Sequence, residues 1–224
     1  LKIAHDGLVG VALKPIDVLM QTLMFCRALG HAVADGSKVL APAPVLTEAL
    51  QELRQLAQMV PESCLQYDPI RIAEWMTTTD EVLYCPFAYG YSNYSRIGYT
   101  AKPLQAGNLV RFRGERLCSV LGGAGLAISA NTENPREAAD YCAFTGATGT
   151  QAGIYADAGG QPGHRTCWTD NRLNQITHNF FRDTLDTLEE AILRPQHSGY
   201  MQFQDEASIV AHAAISGITR LEVA

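Results

Sequence analysis

Residues 121–144 read LGGAGLAISANTENPREAADYCAF, and the reading of this stretch decides the fold. Gly122, Gly123 and Gly125 fall within four positions, ahead of a short apolar run and an Asn-Pro helix start. Glycine loses more backbone freedom on folding than any other residue, so a cluster of glycines implies a need for bare backbone. The uses are a phosphate cradle, a tight turn, a close-packed hinge, or a surface that a ligand approaches. Order argues against the cradle, because a phosphate loop follows a strand and opens a helix, whereas GGAG precedes its apolar run. A second cluster, GGQPGHR at 159–165, lacks the GK[ST] ending.

Downstream of the first cluster, Gly125 to Ser129 predicts a strand. Asn134, Pro135 and Glu137 stand at N-cap, N1 and N3, close to a capping box, and predict a helix from 135 to about 146. Glycines 146, 149 and 153 break the pattern beyond it. Phe181, Leu185, Leu188 and Ile192 keep helical spacing up to Pro195. A last helix is predicted from about Tyr200 to Ser216, with Phe203, Ala207, Val210 and Ala214 on one side and Gly217 as its stop.

Upstream, LVGVALKPID combines a buried-strand pattern, Leu8 to Leu13, with a Lys-Pro turn and a helix from Ile16 or Asp17. Leu19, Leu23 and Cys26 keep helical spacing there, and Gly30 ends it. A second helix covers Leu46 to Met59, with Leu50, Leu53, Leu56 and Ala57 on one face. Residues 70–79 predict a short helix carrying Ile72, Trp75 and Met76, which runs into EVLYCPF, a strand by its aromatic and β-branched content. Strands scattered among helices indicate an α/β protein.

The chain has 224 residues, 47% of them hydrophobic, enough for a substantial core. Its net charge of -6 argues against a general nucleic-acid binder, which needs clustered Lys and Arg. RFRGER at 111–116 is the nearest basic patch, is short and contains a glutamate, and reads as a solvated loop. No apolar run reaches bilayer-spanning length, and LKIAHDGLVG shows neither a charged n-region nor an h-region. The absence of an initiating methionine fits a mature protein or a fragment. The six cysteines show no CxxC or Cys/His pair at metal-ligand spacing, and most lie in apolar company, as buried thiols do. No metal or cofactor is expected.

Two groups of residues carry possible chemistry. Cys167 or Ser129 could join His164 or His178 in a nucleophilic dyad, but nothing resembles GxSxG or a cysteine-protease signature. AYGYSNYSRIGY at 88–99 is more informative, with Tyr89, Tyr91, Asn93, Tyr94 and Tyr99 in one irregular loop. Tyrosine beside Asn and Ser suits a carbohydrate site, because the ring offers an apolar face and a polar rim at little entropic cost. The other reading is that these rings cover a core edge.

The order of the pieces resembles a known family. TEALQELRQLAQMV, AEWMTTTDEVLYCPFAYGYSN and LGGAGLAISANTENPREAADYCAF follow one another as in the extracellular solute-binding proteins of ABC importers, of the maltose-binding type. The resemblance runs from about residue 5 to residue 217, and GGQPGHR, FFRDTL and LRPQHSGY are similar to a sugar-type subgroup.

The resemblance implies an α/β, periplasmic-binding-protein-like two-lobed fold that captures a small polar solute, a carbohydrate, in an interlobe cleft. It also implies delivery to an ABC membrane permease, without chemistry on the ligand, in the periplasm or outside the cell. Residues 1–117 and 168–224 would form the second lobe and 118–167 a segment of the first, which is otherwise largely missing. That would leave GGAG at the crossing between lobes, and oligomerisation through the incomplete lobe is expected.

By position, the ligand-facing residues would be Lys14 and Asp17 at a strand-to-helix corner, then Phe87, Tyr89, Tyr91 and Asn93. Gly122 and Gly123 would line the crossing. Gln161, His164 and Arg165 would meet the solute from the first-lobe side, with Arg194 and Tyr200 near the closing helices. Asp17 is equally readable as a helix N-cap, and Arg194 as a partner for the C-terminal dipole of its own helix. Enzymes on two-lobed scaffolds and truncated sensory or interaction modules remain the alternatives.

Overall fold

Pro15 fixes the backbone for the first turn of helix α1 (Pro15–Ala28), and Gly30 ends it. With Gly30 at φ +87°, Gly30 N–H donates to Arg27 O at 3.0 Å and His31 N–H to Cys26 O at 3.0 Å, a Schellman stop. In the computed structural model, which describes residues 8–33 and 40–218, every residue of α1 from Asp17 to Cys26 is buried. The opening residues 1–7 of LKIAHDGLVG lie outside the described residues.

The described residues divide into two compact units. The first comprises 8–33, 40–90, 108–121 and 186–218, and the second 91–107 and 122–185, so the chain passes from first to second twice, between Gly90 and Tyr91 and between Leu121 and Gly122. These division points differ from the 117/118 and 167/168 boundaries read from the sequence.

In the first unit α1 packs against α2 (Ala43–Met59), and α9 (Tyr200–Ile215) packs against both. Helix α3 (Pro69–Thr78) completes the set, its N-cap Asp68 accepting from Arg71 N–H at 2.8 Å. The core gathers Val11, Leu13, Leu23, Leu53, Ile72, Leu117 and Ile215. Phe25 stands edge-on to Phe87 at 6.1 Å and to Phe112 at 5.1 Å.

The expected strand at 8–13 forms only one parallel bridge, Val9 to Tyr84 in EVLYCPF, with Gly10 N–H donating to Tyr84 O at 3.0 Å. A second parallel bridge joins Val120 to Ile192. Gly10 is where bare backbone is required: a Cβ there would stand 2.9 Å from Val82 Cγ1 and 3.4 Å from Ile72 Cδ1.

RFRGER is not simply a loop. Strands β1 (Arg111–Phe112) and β2 (Glu115–Arg116) pair antiparallel around Arg113 at φ 52° and Gly114 at φ 90°, the positive angles a tight hairpin needs. Its charges are paired as well as solvated, Arg113 with Glu48 at 2.6 Å and Arg116 with Asp186 at 3.3 Å.

Helix α9 begins and ends where expected; of its expected face Ala214 is buried and Ala207 half-buried against the core, while Phe203 and Val210 are exposed and Gln204, Ser208, Ala211 and Ile215 complete the buried side.

The second unit contains α4 (Pro135–Gly146), a helical run through Tyr155 with a kink at Gly153, and the short helices α5 (Arg165–Trp168), α6 (Asn171–Ile176) and α7 (Phe180–Asp183). Helix α4 keeps its expected span, yet Asn134 makes no side-chain cap, so the capping box does not form. The helix expected through Phe181 and Ile192 is broken: α7 stops at Thr184 (φ -114°), and α8 (Leu185–Glu189) is separate. Gly125 to Ser129 forms no strand and is exposed, because a strand needs a hydrogen-bonding neighbour and the described residues supply none there.

Trp168, Phe180 and Phe181 make the aromatic core of this unit, with Trp168 5.2 Å from Phe181. Asn174, 1% exposed, donates to Trp168 O and Asp170 O at 2.9 and 2.8 Å and accepts from Arg182 N–H at 2.8 Å.

Candidate functional site

Helix α1 has an unusual composition for a helix buried along its length. Asp17, Gln21 and Thr22 are polar yet only 6, 5 and 2% exposed, so each must find a partner or carry an unmet hydrogen-bonding group. Thr22 donates from its hydroxyl to Val18 O at 2.8 Å. Gln21 donates from Nε2 to Ala12 O at 2.6 Å, which fixes the direction of the amide and leaves Oε1 as its other end. Asp17 Oδ2 and Gln21 Oε1 are both buried and accept no hydrogen bond among the described residues.

These residues line the same cavity of the first unit. It is a partly open cavity of about 30 Å³, bounded by Met20, Met24, Phe87, Tyr89, Leu109, Ser119 and Val120 as well. Asp17 and Gln21 are i and i+4 on one helix, so their side chains share a face. The walls around them are mainly thioether, aromatic and aliphatic. Burial pushes the Asp17 carboxyl up to about 6, the nearby Asp68 carboxylate adds to the rise, and Lys14 opposes it. Lys14 itself donates from Nζ to Asp68 Oδ2 at 2.7 Å. That bond, with the Arg71 N–H, holds Asp68 below the usual carboxylate range.

Of the residues expected to face a ligand, Asp17, Phe87 and Tyr89 meet at this cavity. Asp17 is not an N-cap: Lys14 occupies that position without a side-chain cap, and Asp17 lies within the first turn. Arg194 is not in a helix and donates to Gln204 Oε1 at 2.8 Å, so it serves no dipole of its own helix. Tyr200 opens α9 with its ring 5% exposed and its hydroxyl without a partner among the described residues.

The remaining expected residues lie in the second unit. Tyr91 is 44% exposed, and Asn93 follows it in a short 3-10 turn (Ser92–Ser95), with Oδ1 buried and unpartnered among the described residues. Gly122 and Gly123 are exposed, and a Cβ at Gly123 or Gly125 would meet nothing within 4 Å, so close packing does not explain them.

The GGQPGHR loop is occupied in holding itself. Gln161 Oε1 accepts from Ser92 N–H at 3.0 Å, and Gly163 N–H donates to Gln151 Oε1 at 2.9 Å. His164 Nε2 lies 2.7 Å from Gly146 O, and Arg165 opens α5 on the surface. Gln161 and His164 thus each have a hydrogen-bond partner within the second unit.

Sequence reading missed Gln21, although a signal was present: a long polar amide in the apolar run VLMQTLMF of a helix that starts at a proline. It also missed Met20, Met24 and Ser119. Among the described residues no group of three or more His, Cys, Asp or Glu is placed to hold a metal, and no helix is long and apolar enough to cross a membrane.

No protein-family model matches the sequence, and no curated protein matches it. Solved structures do. The maltose-bound MalE3 of T. maritima superposes with a TM-score of 0.78 at 20% identity over 96% of this chain and 56% of that one. An ABC transporter solute-binding protein of Thermotoga lettingae TMO, bound with alpha-D-tagatose, gives 0.72 at 18% identity, over 96% of this chain and 55% of that one. The fold is thus of the two-lobed periplasmic-binding-protein type, and the chain spans little more than half the length of these structures.

Proposed function

We propose that this chain captures a small polar solute, a carbohydrate, at the cavity beneath Asp17 and Gln21 and passes it unchanged to an ABC transporter permease outside the cytoplasm. The observation that carries the reading is a cavity lined by Asp17, Gln21, Phe87 and Tyr89, with Asp17 Oδ2 and Gln21 Oε1 buried and without hydrogen-bond partners among the described residues. Buried acceptors without donors destabilise a fold, and they persist where a ligand completes them. Aromatic rings beside them suit the apolar face of a sugar. The likeness to one structure holding maltose and another holding tagatose supports the same ligand class.

On this reading the first unit is the second lobe of the two-lobed fold, and the second unit belongs to the first lobe. Ligand affinity then derives from contacts favouring one conformational state, and no bond is made or broken. Native mass spectrometry of the purified protein, followed by titration calorimetry with maltose and tagatose, tests the proposal. A co-purifying or titrated sugar released unchanged supports it, and its conversion to product refutes it. Turnover is the relevant alternative because a carboxyl titrating at about 6 in a cavity is also what a general acid requires.

A further inference from the structure

In the second unit no residue from Gly122 to Tyr155 is buried, although the stretch carries several large apolar side chains. Leu126 is 57% exposed, Ile128 43%, Tyr141 63% and Phe144 56%. Its first part also has unmet backbone. From Gly122 to Ala130 no N–H group donates to another described residue, and none of these residues has a positive φ that would interrupt an extended run. Open N–H and C=O groups beside apolar side chains are a template for a further strand, and natural edges are guarded against it by charges or proline. Residues 117–132 contain no Asp, Glu, Lys, Arg or Pro.

The pattern is self-complementary. Leu126 and Ile128 are i and i+2, so in an extended chain they share one face, with Gly125, Ala127 and Ser129 on the other. When two copies of 125–129 run antiparallel about Ala127, Leu126 of each stands opposite Ile128 of the other, and Gly125 opposite Ser129. Four branched aliphatic side chains then gather on one face and small residues on the other. We propose that the chain associates with a second copy of itself through residues 125–129, paired antiparallel in this register, with α4 of each copy packed against the pair.

A two-stranded ribbon alone is marginal in water, so the pair needs further cover. Helix α4 follows at Pro135 and has no buried residue. Its Tyr141 and Phe144 are i and i+3 on one face and at their exposures offer on the order of 200 Å² of ring surface from each copy. A second copy meets the need better than an unrelated strand because it brings an identical open edge, and a twofold axis satisfies both edges in one isologous contact. The association involves the second unit alone and is independent of the cavity proposed to bind a sugar.

The test is sedimentation velocity on the 224-residue chain across the micromolar range. The expected species has twice the mass of the chain. Leu126→Lys with Ile128→Lys places lysine opposite lysine across the pair, and Leu126→Glu with Ile128→Glu places glutamate opposite glutamate, so each double variant should weaken association at least tenfold with wild-type far-UV circular dichroism. An equimolar mixture of the two should regain the dimer, because each lysine then faces a glutamate. Gln202→Lys, on α9 of the first unit, should leave association unchanged. On the wild type, hydrogen exchange at the 125–129 amides should slow as concentration rises, and this reading stands even where a variant fails to fold. A wild-type monomer throughout the range overturns the proposal and leaves the face to a different polypeptide. Double variants that dimerise like wild type, a mixture that stays monomeric, or exchange at 125–129 that ignores concentration overturn it as well.

Discussion

Lys14 Nζ lies 2.7 Å from Asp68 Oδ2, so the cation beside Asp17 is engaged by a different carboxylate. Asp17 is left with a neighbouring negative charge and an apolar enclosure, and both favour its protonated form. The arrangement makes Asp17 a source of pH sensitivity in the first unit, beside the oppositely shifted Asp68.

We predict that sensitivity with a definite sign. The Asp17 pKa rises from 3.8 to about 6 on folding, so between those values the folded state binds more protons than the unfolded one. Its contribution is fully present below pH ~4 and is lost as pH rises through about 6, a difference of roughly 3 kcal/mol. Asp17→Asn should therefore raise the melting temperature at pH 7.5 and flatten its pH dependence between about 4 and 7. Thermal denaturation of both proteins across that range checks it, and an unchanged wild-type profile in the variant refutes the assignment.

Gly10→Ala should destabilise the protein by roughly 1–3 kcal/mol, because the new methyl meets Val82 at 2.9 Å in a packed region. Urea denaturation is the measurement. Gly10→Ala combined with Val82→Ala should recover part of the loss, which a backbone-strain explanation does not predict.

Gly123→Ala and Gly125→Ala should change stability by no more than about 0.5 kcal/mol, since both sites are open and neither has a left-handed backbone. If either variant weakens sugar binding with an unchanged melting temperature, those glycines face a ligand. A large loss of stability would contradict the structure.

Tyr89→Ala should weaken binding of the best sugar by roughly 1–3 kcal/mol, because the ring lines the cavity that holds the two acceptors. The apo melting temperature should fall far less than the complex's. Equal losses in calorimetry and thermal denaturation would reduce Tyr89 to a cover over the core.

Asn174→Leu should cost roughly 2–4 kcal/mol in the second unit, leaving the Trp168 carbonyl and the Arg182 N–H short of a partner, while the Asp170 carbonyl keeps the residue-174 backbone N–H. Hydrogen exchange at Arg182 would report the loss directly. Unchanged protection there would show that the side-chain network is dispensable.

Local chemistry was legible wherever a single residue fixes the backbone. Pro15 and Gly30 bound α1, and Gly217 at φ 77° stops α9, as their conformational limits dictate. Faces were less legible. On α9 the apolar period was half right: Ala207 and Ala214 face the core, whereas Phe203 and Val210 are exposed and Gln204, Ser208 and Ala211 are buried instead. The spacing of Phe181, Leu185, Leu188 and Ile192 satisfied a helix that Thr184 interrupts, and Ile192 pairs instead with Val120. Asp17, Phe87 and Tyr89, which line one cavity, were expected together from the family-like order of motifs; Gln21 lines it too and was not expected, since its placement depends on a hydrogen bond to Ala12 that periodicity does not encode.

The packing of α9 on α1 has a consequence for the order in which the chain can fold during synthesis. Residues 15–28 leave the ribosome long before residues 200–215, yet each helix covers the other's buried face. At a translation rate of about 5–20 residues per second, α1 waits on the order of ten seconds or more for its partner. Throughout that interval the buried face of α1, from Val18 to Cys26, has α2 beside it but lacks α9. The nascent chain is thus a substrate for holding chaperones until α9 emerges, and truncations before residue 200 should aggregate while the full chain does not.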